Sequence, residues 1–299
     1  MKVAAAPISW GACEIPGWGE LLPYERVLDE MAASGYAGTE LGPPGFLPGD
    51  RRTLRAALDT RRLSLVGAFH PVPLHDPDRR REATSAALAT ARLLAELGAT
   101  VLVLAADGDH RRDAVAGRVP ADGSASLDDD GWQYAWTLVD RIARNAAELG
   151  LETAFHPHAA SYVEAPHEIE RLLGGTDPRL VGLCLDTGHV GYGGGDPAAL
   201  ARAHATRVRH VHLKDLRRAL HANVVARGSG FRDAVGKGVF APLGDGDLDL
   251  RGTLDVLRGA GYDGWLVVEQ DVRLGITPGA APLHHAHQSR TFVRDAIGA

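Results

Sequence analysis

The run "VGLCLDTGHV", residues 181–190, ends its apolar stretch in Asp186, Thr187, Gly188 and His189. Other runs end alike: "LETAFHPH" in His156 and His158, "VRHVHLK" in His212 and Lys214, "GWLVVEQ" beside Glu269. Earlier ones end in Trp10, Glu40, His70 and Asp107. Imidazole nitrogens and carboxylate oxygens without thiolates suit Mn²⁺, Co²⁺, Mg²⁺ or Zn²⁺. Asp186, His212 and Glu269, from three consecutive runs, are the natural ligands. An ion held there acidifies a C–H bond next to a ketone, and Glu269, His156 or Glu40 can take the proton. Returning it to carbon gives epimerisation or isomerisation. Expelling a β-hydroxyl, with His70, His189 or Lys214 as a second acid, gives dehydration.

Eight short β-type runs must position these groups: residues 2–10, 38–42, 63–70, 100–106, 151–158, 180–186, 208–214 and 264–270. Helical patterns separate them, and Gly35, Gly98 and Gly150 stand where helix C-caps belong. Mostly apolar strands alternating with helices argue a parallel sheet covered by helices. Eight such units in 299 residues fit one closed (β/α)₈ TIM barrel, whose C-terminal strand ends form a single rim. A doubly wound sheet is the competitor, but "PISWGACEIPGWG" lacks the G-x-G-x-x-G phosphate turn. No domain linker is visible across 1–299. The long stretch at about 216–250 is expected to cover the barrel mouth.

Alternation along the strands agrees with this picture. His156 shares a face with Ala154, Asp186 with Cys184, and His212 with His210. Val208 and Arg209 break the pattern in the seventh run.

Composition is ordinary: 45% hydrophobic, 23% charged, with 32 basic against 38 acidic residues and a net charge of −6. That balance disfavours a nucleic-acid partner. No apolar run approaches membrane-spanning length, and Pro7 interrupts any secretory h-region. Two cysteines, Cys13 and Cys184, allow neither a disulfide framework nor a thiolate zinc site. A cytoplasmic location with reduced thiols is expected.

The chain resembles the xylose-isomerase-like barrel superfamily of sugar isomerases, ketose epimerases and endonuclease-type relatives, and within it the inosose dehydratase branch. The likeness runs through "APISWG", "GYAGTELGPPG", "LDTGHVGYGGGDP", "VRHVHLKDLR", "FRDAVGKGVFAPLGDGDLDL" and "GYDGWLVVEQD". It implies a divalent metal, Mn²⁺ foremost, on Asp186, His212 and Glu269. The superfamily's fourth ligand is a Glu ending strand five; here His156 stands there, with His158 and Glu164 as alternatives. The likeness also implies that His189 touches substrate, and that Arg218 does too, with Arg217 competing. It further implies a small polyhydroxy ketone as partner, a cyclitol or a sugar, and a homo-oligomer.

The expected activity is a metal-dependent hydro-lyase dehydrating a keto-cyclitol in inositol catabolism. The alternative is a sugar (phosphate) isomerase or epimerase acting through the same enediolate. The acidic balance argues against an endonuclease relative, and the three ligands argue against a metal-free sugar binder. Trp10, His70 and His158 complete the expected substrate contacts. His210 reads as a hydrogen-bonded core residue, Cys184 as core, and "HHAHQSR" (284–290) as a solvated helix face. "DGDHRRD" and "ADGSASLDDDG" read as polar loops.

Overall fold

A computed structural model describes residues 1–298. Its strands are β1 (Lys2–Ala5), β2 (Gly38–Glu40), β3 (Ser64–Val72), β4 (Val101–Ala106), β5 (Glu152–His156), β6 (Val181–Asp186), β7 (Val208–Leu213), β8 (Asp215–Leu216), β9 (Phe240–Ala241) and β10 (Trp265–Val268). The helices are α1 (Tyr24–Ala33), α2 (Arg51–Arg61), α3 (Arg80–Leu97), α4 (His110–Ala114), α5 (Asp129–Glu148), α6 (Pro166–Gly175), α7 (Thr187–Tyr192), α8 (Pro197–Ala203), α9 (Arg218–Ala226), α10 (Phe231–Gly236), α11 (Leu250–Gly259) and α12 (Pro282–Ile297).

Eight strands close a parallel barrel in the order β1-β10-β7-β6-β5-β4-β3-β2. The strands are apolar on both faces because each face meets its own core, and "VLVLAA" of β4 is buried throughout. Leu102, Leu104, Phe155, Leu183, Leu185 and Leu213 face the helices. Val101, Val103, Ala154 and Cys184 fill the axis, as do Ala4, Val66 and Val267 at another level. The helices start where short acids cap them: Asp50, Asp128, Asp196 and Asp249 accept from first-turn N–H groups of α2, α5, α8 and α11. Gly98, at φ 79°, ends α3 in the left-handed conformation.

Two irregularities of register decide which residues reach the axis. Between β6 and β7, Leu183 pairs with Val208 but Cys184 pairs with His210, so β7 carries one extra residue. That bulge explains the broken alternation. Val208 joins the outer core, while Arg209 folds over Gly182 and donates to the carbonyls of Leu180 and Arg179. Between β2 and β3, Thr39 pairs with Leu65 and Glu40 with Gly67, so β3 is bulged as well.

The stretch at 216–250 is not an irregular loop. It holds α9, α10 and a two-stranded antiparallel ribbon in which Asp215 pairs with Ala241 and Leu216 with Phe240. The Asp215 carboxylate accepts from the backbone N–H groups of Leu216, Gly244, Gly246 and Leu248, which ties this cover to the end of β7. Among the described residues no helix is long and apolar enough to cross a membrane.

Candidate metal centre

The C-terminal ends of β5, β6, β7 and β10 bring His156, Asp186, His212 and Glu269 together. One potential donor atom of each lies within 4.8 Å of the other three, and all four residues are buried. His212 Nδ1 sits 3.3 Å from Glu269 Oε2 and 3.7 Å from Asp186 Oδ2, and His156 Nε2 is 3.2 Å from Asp186 Oδ2. Nδ1 of both His156 and His212 is buried without a hydrogen-bond partner. For His212 that orphaned nitrogen faces two carboxylates, which is what a cation ligand looks like without its cation. The donor set therefore fits a divalent metal. Cys184 lies one layer deeper, grouped with His156 and His212, and burial pushes its thiol up to about 11.

The sequence "DTGH" is built around one neighbour, Lys214. Asp186 ends β6 and caps α7, its Oδ1 accepting from His189 N at 2.7 Å. Thr187 Oγ1 donates to the Lys214 carbonyl at 2.7 Å, and Lys214 N donates back at 2.9 Å. A Cβ at Gly188 would stand 2.5 Å from Lys214 Cγ, so only glycine leaves room for the lysine stem. His189 Nε2 lies 3.0 Å from the ammonium, and the Phe240 ring lies 5.2 Å away. Lys214 is buried, with Nζ 2.8 Å from Asp271, 3.1 Å from Glu269 and 3.5 Å from Asp186.

Charge balance fixes the protonation of the cluster. Burial opposes the Lys214 charge, but Asp186, Asp271 and Glu269 outweigh it and hold the ammonium above its ordinary range. Burial likewise opposes the Glu269 charge, yet His212 and Lys214 hold its carboxyl down at about 2. Asp271 goes the other way: burial dominates and raises it to about 6. His158 is pushed down to about 3 by burial, then by His156 and Lys214, and burial lowers His189 too. His158 Nδ1 donates to the Ala159 carbonyl at 2.7 Å, and Ala159 N donates to His189 Nδ1 at 3.1 Å. Both are neutral imidazoles, and the Nδ1–H of His158 leaves its Nε2 as an acceptor.

A cavity of about 890 Å³ opens above the cluster. His156, His158, His189, His212, Lys214, Glu269 and Asp271 line its inner end, and Ile8, Cys13, Trp18, Pro43 and Phe231 line its walls. Phe231 comes from the cover, where its ring packs 5.5 Å from both His158 and His189.

Several expected site residues lie outside the four-donor cluster. Trp10 is buried in the outer core, donating from Nε1 to Glu30 at 2.7 Å. The chain turns after β1 into a 3-10 helix, Pro7–Trp10, which directs Ile8 rather than Trp10 to the cavity. The β3 bulge reverses the alternation, so Phe69 faces His156 and His158 while His70 turns outward, Nδ1 at 3.1 Å from Thr90 of α3. His70 still lines the cavity, as does Thr90. Arg218 opens α9 and is anchored by Asp247, and Arg217 donates to the carbonyls of Gly238 and Phe240. Both hold the cover together. Glu164 accepts from Gly117 N at 2.5 Å and Ala160 N at 2.6 Å, outside the four-donor cluster. Glu40 is buried beside His212 and also lines the cavity, with its Oε1 taken by His212 and His210.

Asp271 and Phe231 were absent from the expected set. Asp271 had a signal, since in an extended strand end it shares parity with Glu269. Phe231 had none, because a cover residue's contacts depend on how the excursion folds back.

Glu164 yields a prediction about stability. Burial, ahead of its two backbone hydrogen bonds, raises its carboxyl from 4.5 to about 7. An acid whose folded value is raised costs nothing below its unfolded value and destabilises progressively as pH climbs through the folded one. Urea unfolding at about pH 5 and about pH 8 should show Glu164→Gln gaining about 2–3 kcal/mol relative to wild type over that interval. A constant difference between the two proteins would show that the carboxylate is ionised throughout.

A closed parallel barrel with a buried histidine–carboxylate centre at its C-terminal rim is the architecture of metal-assisted TIM-barrel proteins. The chain belongs to the xylose isomerase-like TIM barrel family, which it matches over residues 28–291. It is 32% identical over its full length to the inosose dehydratase of Geobacillus thermodenitrificans (strain NG80-2), spanning 98% of that protein. It is 38% identical over 91% of the chain to the rhizopine catabolism protein MocC of Rhizobium meliloti, spanning 82% of it. The crystal structure of IOLI protein with a bound zinc atom superposes with a TM-score of 0.72 at 14% identity, over 100% of this chain and 98% of that one. At that identity the likeness concerns the fold.

Proposed function

We propose that the protein is a divalent-metal-dependent hydro-lyase that removes water from a keto-cyclitol of the inosose type. The observation that carries this reading is the buried Lys214 ammonium, 3.1 Å from Glu269. Returning a proton to carbon, as an epimerase or isomerase does, needs no acid for a departing oxygen. Dehydration does. The full-length likeness to an inosose dehydratase supports the same reaction.

A divalent cation held by Asp186, His212, Glu269 and His156, with Mn²⁺ foremost and Co²⁺, Mg²⁺ or Zn²⁺ also suited to the donors, would supply Lewis acidity toward the substrate ketone. Glu269 is the base. Its contacts with His212 and Lys214 both use Oε2, which leaves Oε1 for the hydrogen next to the ketone. Lys214 protonates the departing hydroxyl, and Asp271 at 2.8 Å keeps the ammonium aimed and charged. The neutral His158, whose Nδ1 donates to the Ala159 carbonyl, accepts a hydrogen bond from a ring hydroxyl at Nε2 without adding charge, and His189 lines the cavity beside it. Phe231 excludes water from the inner end, where an unscreened acid and base act most strongly. The cavity, at about 890 Å³, has room for a six-membered polyhydroxy ring.

The test is incubation of metal-loaded protein with 2-keto-myo-inositol while following the absorbance of an unsaturated diketone. Its appearance, lost on chelation and restored by added metal, is the expected result. Deuterium exchange or an epimerised ketose with no new chromophore would reassign the protein to the isomerase or epimerase alternative.

A further inference from the structure

We propose that Glu40 is a positioning residue that fixes His212 as the Nε2–H tautomer, so that Nδ1 is the atom offered to the metal. The inference rests on the reading of His212 as a ligand and adds how that ligand is set.

Glu40 ends β2, and His212 lies near the end of β7, with β1 and β10 between them in the barrel wall. The Glu40 side chain therefore reaches across the interior rather than along the sheet. Its Oε1 lies 3.0 Å from His212 Nε2 and 2.8 Å from His210 Nε2. A carboxylate oxygen has two lone pairs and no hydrogen, so both ring nitrogens must donate to it. Donation from Nε2 leaves the lone pair of a neutral His212 on Nδ1. That nitrogen is the one facing Asp186 and Glu269, and it has no protein partner. The second bond, from His210, holds the carboxylate from below, where His210 pairs with Cys184 one layer under the centre. The three residues are buried, and among the described residues Glu40 supplies the side-chain acceptor for His212 Nε2. A carboxylate at this place also raises the basicity of the ring it accepts from, which strengthens the opposite nitrogen as a ligand.

A bridge that merely packed the barrel would not care which ring nitrogen carried the hydrogen, and that difference makes the test. In Zn²⁺-loaded wild-type protein, long-range ¹H–¹⁵N spectra of the histidine rings should show His212 protonated at Nε2 and shifted by the metal at Nδ1. Protonation at Nδ1 with the metal on Nε2 would overturn the proposal without any variant. Glu40→Gln keeps size and one acceptor but loses the charge and introduces donors. It should weaken Zn²⁺ and Mn²⁺ binding, measured by calorimetric titration, about 10- to 100-fold and blur the His212 pattern. Binding within about twofold of wild type, with the pattern unchanged, would also overturn it. If the wild type takes up no cation, the metal reading itself fails. His212 in the metal-free protein at alkaline pH, read for its hydrogen on Nε2 or Nδ1, then still decides the role of Glu40.

Discussion

Replacing His212 with alanine is expected to abolish stoichiometric cation binding and to lower turnover of a keto-cyclitol about 10³-fold or more, equivalent to roughly 4 kcal/mol of lost transition-state stabilisation. The size follows from what the imidazole touches. His212 touches three acids around the centre: Glu40 at 3.0 Å, Glu269 at 3.3 Å and Asp186 at 3.7 Å. Removing it deletes a donor, leaves Glu40 with His210 alone, and leaves buried carboxylates facing Lys214 and one another. Lys214 would then be drawn deeper into the vacated charge cluster, away from a departing hydroxyl. Elemental analysis and steady-state kinetics on the purified variant read both effects, with a cooperative melt establishing that the barrel persists. Turnover within about tenfold of wild type would mean that the reaction does not use this centre.

The rim of the barrel was legible in the sequence because strand ends there interrupt apolar runs with chemistry that a core does not need. Asp186, His212, Glu269 and His156 are brought together as that logic requires. Alternation also separated axis from helix-facing residues in β5 and β6, whose registers are regular past Thr153 and Cys184. It failed where a strand holds one residue too many. A bulge in β3 exchanges His70 for Phe69 at the axis, and no residue type in "LSLVGAFH" announces it beyond Gly67, whose Cβ would press on the Val101 carbonyl at 2.8 Å. Trp10 was misread for a similar reason. The end of "KVAAAPISW" is a 3-10 turn, started by Pro7 and closed by Gly11 at φ 81°, so strand parity does not reach the tryptophan. Glu164 could not be separated from His156 as a fourth donor by spacing alone. Its distance from the cluster depends on the turn after β5, where Ala160 adopts a left-handed φ of 62°.

The other large expected effect lies in a segment that reads as polar loop. Arg112, within "DGDHRRD", is fully buried, and both guanidinium Nη atoms meet Glu168 of α6 at 2.9 Å. Every remaining polar atom of the pair is used. Arg112 Nε donates to the Ser161 carbonyl and Nη1 to that of Ala125, while Glu168 Oε2 accepts from Glu164 N and Ala165 N. The Tyr162 ring lies 5.5 Å from the guanidinium. A buried pair so completely satisfied gains little over apolar packing, but losing one partner strands a charge where water cannot reach it. Glu168→Ala should therefore destabilise the protein by about 3–5 kcal/mol in urea unfolding, lowering the midpoint while the slope is unchanged. Glu168→Gln, which keeps an acceptor for the guanidinium, should lose less. The pair also joins the excursion after β4, which carries Asp109 and Asp113 to the cavity, to the turn after β5 that carries His158. Loosening that joint should raise KM more than it lowers kcat, because Glu269 and Lys214 stand on other strands. A loss under about 1 kcal/mol in Glu168→Ala would mean that water reaches the guanidinium, and that the Tyr162–Asp109 hydrogen bond at 2.9 Å holds the two loops instead.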